Sequence, residues 1–238
     1  MGRSLLFKTE YRINDYITIK VPTVAEIIDN EDEYYDAVFL IISTPYERMV
    51  QLADMDIDFT TIDEWDLFLL LFSELRYRDI SMIFRDLQLS DFQTVQDERN
   101  GEIILLNFET GAIIDRKLHM QICTFLRKLL NIEKNDKKPG NEDGKEWMLE
   151  RARVELRKRL RLAKDSSQLE EHIIALVNTA EFSYDYESVR DLTIYQFNSS
   201  LNQIIKKVRF DNLMIGCYAG TINAKELNPD ELNWLTSR

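Results

Sequence analysis

The polar stretch EKNDKKPGNEDG at residues 133–144 separates two parts of the chain that carry different sequence patterns. It contains one proline and two glycines, which interrupt helices and strands. Before it, short β-like runs are mixed with helical patterns, whereas after it the periodicity is helical. These patterns predict an α+β domain at residues 1–132, a linker at 133–144, a helical domain at 145–222 and a polar tail at 223–238.

The first 30 residues predict a β-hairpin that leads into a capped helix. Residues 5–21 alternate between polar and apolar side chains, and an Asn-Asp pair supplies the turn between two strands. Pro22 ends the second strand. Thr23 then stands three residues before Glu26, which is the spacing of a capping box at a helix N-terminus.

Three further helices are predicted between residues 31 and 79. The first, at 31–44, has an acidic first turn that suits the helix dipole. Pro45 favours the start of the second. Asp63 is the expected N-cap of the third, whose apolar residues cover nearly every face. We therefore expect the third helix to be the central core helix of the N-terminal part.

Residues 91–115 predict a small β-meander of about three strands, because Asn-Gly and Thr-Gly pairs separate short β-rich runs. A helix with a clear apolar stripe follows at 116–132. The expected fold class is thus α+β and predominantly helical. An N-terminal β-hairpin and the meander are packed with helices, and the C-terminal half is all helical.

Residues 145–164 predict a strongly basic helix. They hold eight Lys or Arg and three Glu, so this segment carries +5 while the rest of the chain carries −17. The apolar stripe consists of Leu149, Ala152, Leu156 and Leu160, and the candidate basic face of Arg151, Arg157, Lys158 and Arg161. We interpret the segment as an amphipathic helix that docks on the acidic part of its own chain or on a neighbouring subunit.

Nucleic-acid binding through the same face is the less favoured interpretation. Trp147 is the one aromatic residue of the segment that could stack on a base, and the chain as a whole carries −12.

Residues 191–222, DLTIYQFNSSLNQIIKKVRFDNLMIGCYAGTI, predict a long buried helix near the C-terminus. Gly216, Ala219 and Gly220 are small enough for another backbone to approach closely. In the tail that follows, Leu232 and Trp234 stand among polar residues. Two interpretations of the tail are open: a docking peptide for a partner, or a segment folded back on its own domain.

Motifs that carry chemistry are weak in this sequence. The two histidines, His119 and His172, lack the spacing of metal or catalytic pairs. The acidic run from Asp54 to Asp58 lacks the glycine and the glutamate of an EF-hand loop. Neither a phosphate-binding glycine motif nor a Cys-x-x-Cys pair occurs. We therefore expect a protein that is not an enzyme, with no cofactor and no metal site.

Composition and charge favour a soluble acidic protein. The chain is 45% hydrophobic with a pI near 4.8, and both cysteines, Cys123 and Cys217, lie in apolar helical stretches where free thiols are expected. The apolar run at residues 67–72 is far shorter than the roughly 20 residues of a membrane span. An intracellular location without membrane contact is the resulting expectation.

Four segments of the chain together resemble tail-morphogenesis proteins of phages and prophages of Gram-positive bacteria. They are KVPTVAEI, YDYESVRDLTIYQFNSSLNQI, MIGCYAGTI and the terminal ELNWL. The resemblance extends from about residue 11 to the end of the chain, and the sequence looks like a tail assembly chaperone or a closely associated tail protein.

The resemblance implies a protein of the host bacterial cytoplasm that binds the tape-measure protein and recruits tail-tube subunits. It implies no catalytic residues, and it leaves open whether the protein forms a homo-oligomer. The candidate partner-binding residues are Tyr195, Phe197, Asn198, Tyr218, Leu232 and Trp234, and Gln196, Ala219 and Gly220 match the same motifs. The alternatives are a structural tail or baseplate component of the virion and a nucleic-acid-binding regulatory protein.

Overall fold

The computed structural model describes residues 4–162 and 167–235, and it confirms an α+β fold that is predominantly helical. The strands and helices of these residues are, in order, β1 (Glu10–Arg12), β2 (Thr18–Lys20), α1 (Val24–Ile28), α2 (Glu31–Ile42), α3 (Met49–Asp54), α4 (Glu64–Leu75), β3 (Phe92–Gln96), β4 (Ile103–Asn107), β5 (Ile113–Ile114), α5 (Arg116–Leu130), α6 (Glu142–Leu162), α7 (Gln168–Val177) and α8 (Ile194–Tyr218). Short 3₁₀ helices lie at Leu89–Asp91, Ser188–Asp191, Ala224–Glu226 and Pro229–Leu232.

The N-terminal hairpin is confirmed, with shorter strands than the sequence pattern predicts. β1 and β2 pair antiparallel, and Tyr11 lies opposite Ile19. The Asn14 side chain accepts backbone hydrogen bonds from Tyr16 and Ile17 at 2.9 and 2.8 Å, and thereby forms the turn.

Helix α3 begins four residues after Pro45, so the predicted start of this helix was wrong. The Glu47 carboxylate accepts a hydrogen bond from the backbone of Thr44 at 2.8 Å, and the Thr44 hydroxyl accepts one from the backbone of Glu47 at 3.2 Å. These two bonds hold residues 44–47 in a separate turn, and the helix starts after it at Met49.

The predicted meander is confirmed as a three-stranded antiparallel sheet in the order β3-β4-β5. Both turn glycines adopt positive φ angles, +74° at Gly101 and +71° at Gly111, a conformation that glycine takes without steric cost. The indole of Trp65 in α4 donates to the carbonyl of Ile103 in β4 at 3.1 Å. This bond joins the sheet to the helix layer.

Side chains of α5 satisfy the last carbonyls of α2. His119 is bonded to the carbonyl of Ile41 at 2.9 Å, and the Arg127 guanidinium donates to the carbonyl of Ile42 and to Glu47 at 3.2 Å. Because the last carbonyls of a helix have no partner within that helix, a buried helix end requires donors of this kind. The end of α2 can therefore lie inside the protein.

The start of α8 is bonded to the start of α1. Thr23 and Thr193 form an antiparallel bridge, in which the backbone of Val24 donates to Leu192 and that of Ile194 donates to Pro22, both at 2.8 Å. Both threonines also close capping boxes, with Glu26 and Gln196 as the reciprocal partners. Two of the segments that carry the family resemblance are thus in direct contact.

The linker is partly ordered against the N-terminal part. The Arg127 guanidinium donates to the carbonyl of Glu133 at 3.2 Å, and the Thr44 hydroxyl donates to that of Asn135 at 2.7 Å. Helix α6 starts at Glu142, three residues before the predicted position, because the Asn141 side chain caps it through the backbone of Gly144 at 2.8 Å.

One hydrophobic core contains side chains from both sides of the linker. Residues of α1, α2, α4, α5 and the hairpin pack with buried residues of the C-terminal part, namely Leu169, Ile173, Leu176, Phe182, Val189, Leu192, Ile194 and Phe197. The N-terminal half of α6 packs elsewhere, on a smaller cluster of Met49, Leu52, Phe59 and Leu67. The division into two folding units at 133–144 stays a prediction.

Candidate protein-binding site

The first turns of α8 are anchored in the core. Ile194 and Phe197 are fully buried, and the Asn198 side chain donates to the carbonyl of Leu130 at the end of α5 at 3.4 Å. The Gln196 side chain donates to the carbonyl of Leu6 at 2.8 Å. These contacts fix the direction in which the rest of this 25-residue helix runs.

Beyond its first turns, α8 is not the buried helix that the sequence predicts. Several of its apolar side chains are exposed: Ile205 is 55% exposed, Ile215 is 66% exposed and Tyr218 is 83% exposed. The apolar periodicity of the helix is real, but within the described residues only part of this face has a cover. A helix with this pattern has an apolar face available for another molecule.

Helices α7 and α8 enclose an apolar groove with a volume of about 590 Å³. One wall consists of Ala175 and Leu176 of α7 and of Thr179, which follows this helix, and Ile222 closes the groove from the segment between α8 and the tail. The α8 wall consists of Leu201, Ile204, Ile205, Val208, Arg209, Asn212 and Leu213. We call this surface the α7–α8 groove. Its positions on α8 recur at intervals of three and four residues, so they lie on one face of the helix.

Charged residues keep the outside of the groove polar. Lys207 lies 2.6 Å from the carboxylate of Asp211 and 3.8 Å from that of Glu181, which follows α7. The pKa of Lys207 is raised, chiefly by its hydrogen bond to Asp211. The groove is therefore an apolar strip beside an ion-paired polar margin.

The tail folds back along α8, which agrees with one of the two interpretations of its sequence. Gly220 turns the chain with a φ angle of +73°, and the backbone of Ile222 donates to the carbonyl of Gly216 at 3.1 Å. Further along, the side chain of Gln203 donates to the carbonyl of Trp234 at 2.7 Å. The tail is thus held at two points along α8.

The close approach of the tail requires a glycine at position 216. A Cβ atom there would lie 2.6 Å from Cδ1 and 2.9 Å from Cγ1 of Ile222. We expect Gly216→Val to displace the tail, which should increase tryptic cleavage after Lys225 by about tenfold because the cleavage rate follows the population of the open state. The double variant with Ile222→Ala should cleave more slowly than Gly216→Val alone, and equal rates in the two would contradict this contact.

The predicted partner-binding residues do not share one surface. Phe197 is fully buried in the core and Tyr195 packs partly against it, whereas Tyr218 lies at the other end of α8, about 35 Å away at 1.5 Å per residue. In the tail, Leu232 is exposed and Trp234 is half-buried. The groove residues Leu176 and Ile222 were not predicted, because they come from separate elements whose proximity no local pattern records.

The basic helix α6 is attached to the acidic run of the chain by its first half. Lys145 pairs with Asp58 at 2.6 Å, and Arg153 pairs with Asp54 at 3.2 Å. Lys145 and the hydrogen bonds from Thr60 lower the pKa of Asp58 to about 2. The ion pairs thus involve two of the three carboxylates of the acidic run, and the described residues contain no group of three or more His, Cys, Asp or Glu side chains that could hold a metal ion.

The candidate basic face lies on the outside of α6. Arg151, Arg157, Lys158 and Arg161 are all exposed. The guanidinium of Arg151 lies over the ring of Trp147, 5.2 Å from the ring centre, and Arg157 pairs with Glu150 of the same helix at 3.1 Å.

His119 and Cys123 lie next to each other in the core, with 3.3 Å between Nε2 and Sγ. Burial lowers the pKa of His119 to about 4 and raises that of Cys123 to about 12, so both side chains are neutral near pH 7. A protonated thiol is a poor nucleophile. His119 is therefore a buried core residue whose ring is hydrogen-bonded to the carbonyl of Ile41.

None of the helices in the described part of the chain is both long and apolar enough to span a membrane. No curated protein and no solved structure matches this chain. Residues 163–237 match the family model of the YomV second domain, which is a phage-type family, and all residues that line the α7–α8 groove lie within this segment.

Proposed function

We propose that this protein is a non-enzymatic tail assembly chaperone of a phage or prophage. In the host bacterial cytoplasm it would bind the tape-measure protein and recruit tail-tube subunits. The observation that supports this most directly is the α7–α8 groove, an apolar surface within the segment that matches a phage-type domain.

The shape of the groove suits a helical client. Two helices with an apolar strip between them accept the apolar face of a third helix, whose anchor residues recur at intervals of three and four. A tape-measure protein is a long helical rod whose apolar face needs cover until the tail closes around it. The exposed groove residues Ile205 and Val208 are placed to supply that cover.

The charge of the chain is compatible with this role. With a net charge of −12, loaded copies repel one another, which opposes aggregation of the client.

Two alternatives have support of their own. The exposed end of α8 around Tyr218 also suits a permanent subunit contact in a structural tail or baseplate component. The outward basic face of α6 suits a nucleic-acid-binding regulatory protein. Mass spectrometry of purified phage particles distinguishes the first alternative from a chaperone. A chaperone is absent from the particles, whereas a structural component is present in fixed amounts.

A charge placed in the groove tests the binding site. We expect Ile205→Asp to weaken co-purification with the tape-measure protein of the same phage by about tenfold or more, because the bound helix would bury the carboxylate without a partner. Ile215→Asp is the matched control: it introduces the same charge on the same helix at a residue that does not line the groove. Equal capture by both variants and the unmodified chain would exclude the groove as the client site.

A further inference from the structure

Helix α6 consists of two halves with different surroundings. In the first half, Met148, Leu149 and Ala152 pack on the small cluster around Phe59. Ion pairs from Lys145 and Arg153 to the acidic run lie beside this contact. The first half thus shows how the helix binds: an apolar stripe lies on an apolar surface, and basic side chains beside it pair with carboxylates.

In the second half the same stripe continues, but the described residues of the chain cover it only in part. Leu156 and Leu160 follow Ala152 at intervals of four residues, so they lie on the same face, and they are 41% and 69% exposed. Residues 154–161 hold four basic side chains, Arg157, Lys158, Arg159 and Arg161, and one acidic side chain, Glu155. A short helix end with little tertiary packing gains stability mainly from a partner.

The acidic surface that complements this helix end is present in the chain itself. Outside residues 145–164 the chain carries −17. One part of it, residues 181–187, combines three carboxylates with two exposed aromatic rings, and we call it the acidic aromatic loop. Tyr184 and Tyr186 are 42% and 54% exposed, and the hydroxyl of Tyr186 accepts a hydrogen bond from Asn178 at the end of α7 at 3.2 Å.

The loop resembles the surface on which the first half of α6 docks within its own chain. Carboxylates flank apolar surface, as at the contact with Asp54 and Asp58. Exposed tyrosine rings can also accept guanidinium groups, as Trp147 accepts Arg151 in α6.

We infer that the exposed end of α6, residues 154–161, docks on the acidic aromatic loop of a second copy of this chain. Leu156 and Leu160 lie against Tyr184 and Tyr186, and the basic side chains beside them pair with the carboxylates of the loop. A duplex backbone offers charge but no apolar surface for this stripe, so the observations favour a protein partner over nucleic acid.

The two surfaces are different, so the contact is heterologous. Each copy has one of each, and association therefore continues head to tail until a ring closes or an open array forms. Because the contact is rich in ion pairs at the surface, salt weakens it.

Sedimentation velocity of the full chain tests this inference. We expect concentration-dependent oligomers in about 50 mM NaCl and a shift to monomer in about 500 mM NaCl. Arg157→Glu/Arg161→Glu should weaken self-association by about tenfold or more, and Glu187→Lys should weaken it in the same direction. An equimolar mixture of these two variants should associate again, because the reversed charges are complementary.

Controls separate this contact from other effects of charge. Arg99→Glu/Lys117→Glu, in the β3–β4 turn and on α5, makes the same change in net charge as Arg157→Glu/Arg161→Glu and should leave self-association intact. A monomeric unmodified chain at low salt would overturn the inference. So would a labelled DNA duplex that binds the unmodified chain but not Arg157→Glu/Arg161→Glu, if self-association is the same in both. Neither result bears on the α7–α8 groove, which is tested separately with Ile205→Asp.

Discussion

Replacement of Phe197 by alanine is expected to lower the free energy of unfolding by about 3–5 kcal/mol, the range for removal of a buried phenylalanine. The side chain is fully buried where α8 enters the core, so its loss leaves a cavity that the surrounding helices fill only in part. Urea unfolding followed by circular dichroism measures the change. A decrease of this size would show that Phe197 stabilises the folded state.

Tyr218→Ala is the matched control on the same helix. Its ring is 83% exposed, so we expect the free energy of unfolding to change by no more than about 0.5 kcal/mol. If Phe197→Ala left stability unchanged and abolished partner binding instead, the buried position of this residue would be wrong.

Acidification is expected to remove about 3 kcal/mol of stability through His119 as the pH falls from about 6.5 to about 4. The pKa of this side chain is lowered to about 4 in the folded protein, chiefly because burial disfavours its charged form. In the unfolded chain it binds a proton near pH 6.5. Between these two pH values the unfolded state holds more protons, so stability decreases as the pH decreases.

The variant His119→Gln isolates this contribution. Glutamine does not titrate, yet its amide can still donate to the carbonyl of Ile41 at the end of α2. We therefore expect the free energy of unfolding to depend less steeply on pH in the variant than in the unmodified chain, with a difference of about 3 kcal/mol between pH 7.5 and 4. Carboxylates titrate in both proteins and cancel in the comparison. Parallel pH profiles would contradict the neutral buried state of His119.

Interactions between neighbours in the chain were predictable from the sequence. The capping box of Thr23 and Glu26, the cap at Asp63 and the glycine turns at 101 and 111 are all present. The same threonine spacing occurs between Thr193 and Gln196, where the capping box marks the start of α8. Such features are predictable because the residues that form them lie within a few positions of each other.

The bridge between Thr23 and Thr193 was not predictable, because it joins two helix starts that are far apart in the sequence. The same reason applies to the bonds by which His119 and Arg127 satisfy the carbonyls of α2. Each side chain has an ordinary helical context, and its partner is defined only when α5 lies against the end of α2.

The candidate site also combines a local feature that the sequence predicts with long-range contacts that it does not predict. The apolar spacing of Leu201, Ile204, Ile205 and Val208 determined by itself that α8 has an apolar face. It did not determine whether that face is buried, since periodicity records which side chains share a face and not what covers them. Only the tertiary structure decided this, because Phe197 enters the core, α7 forms one wall, and the tail returns at Gly216 to close the groove.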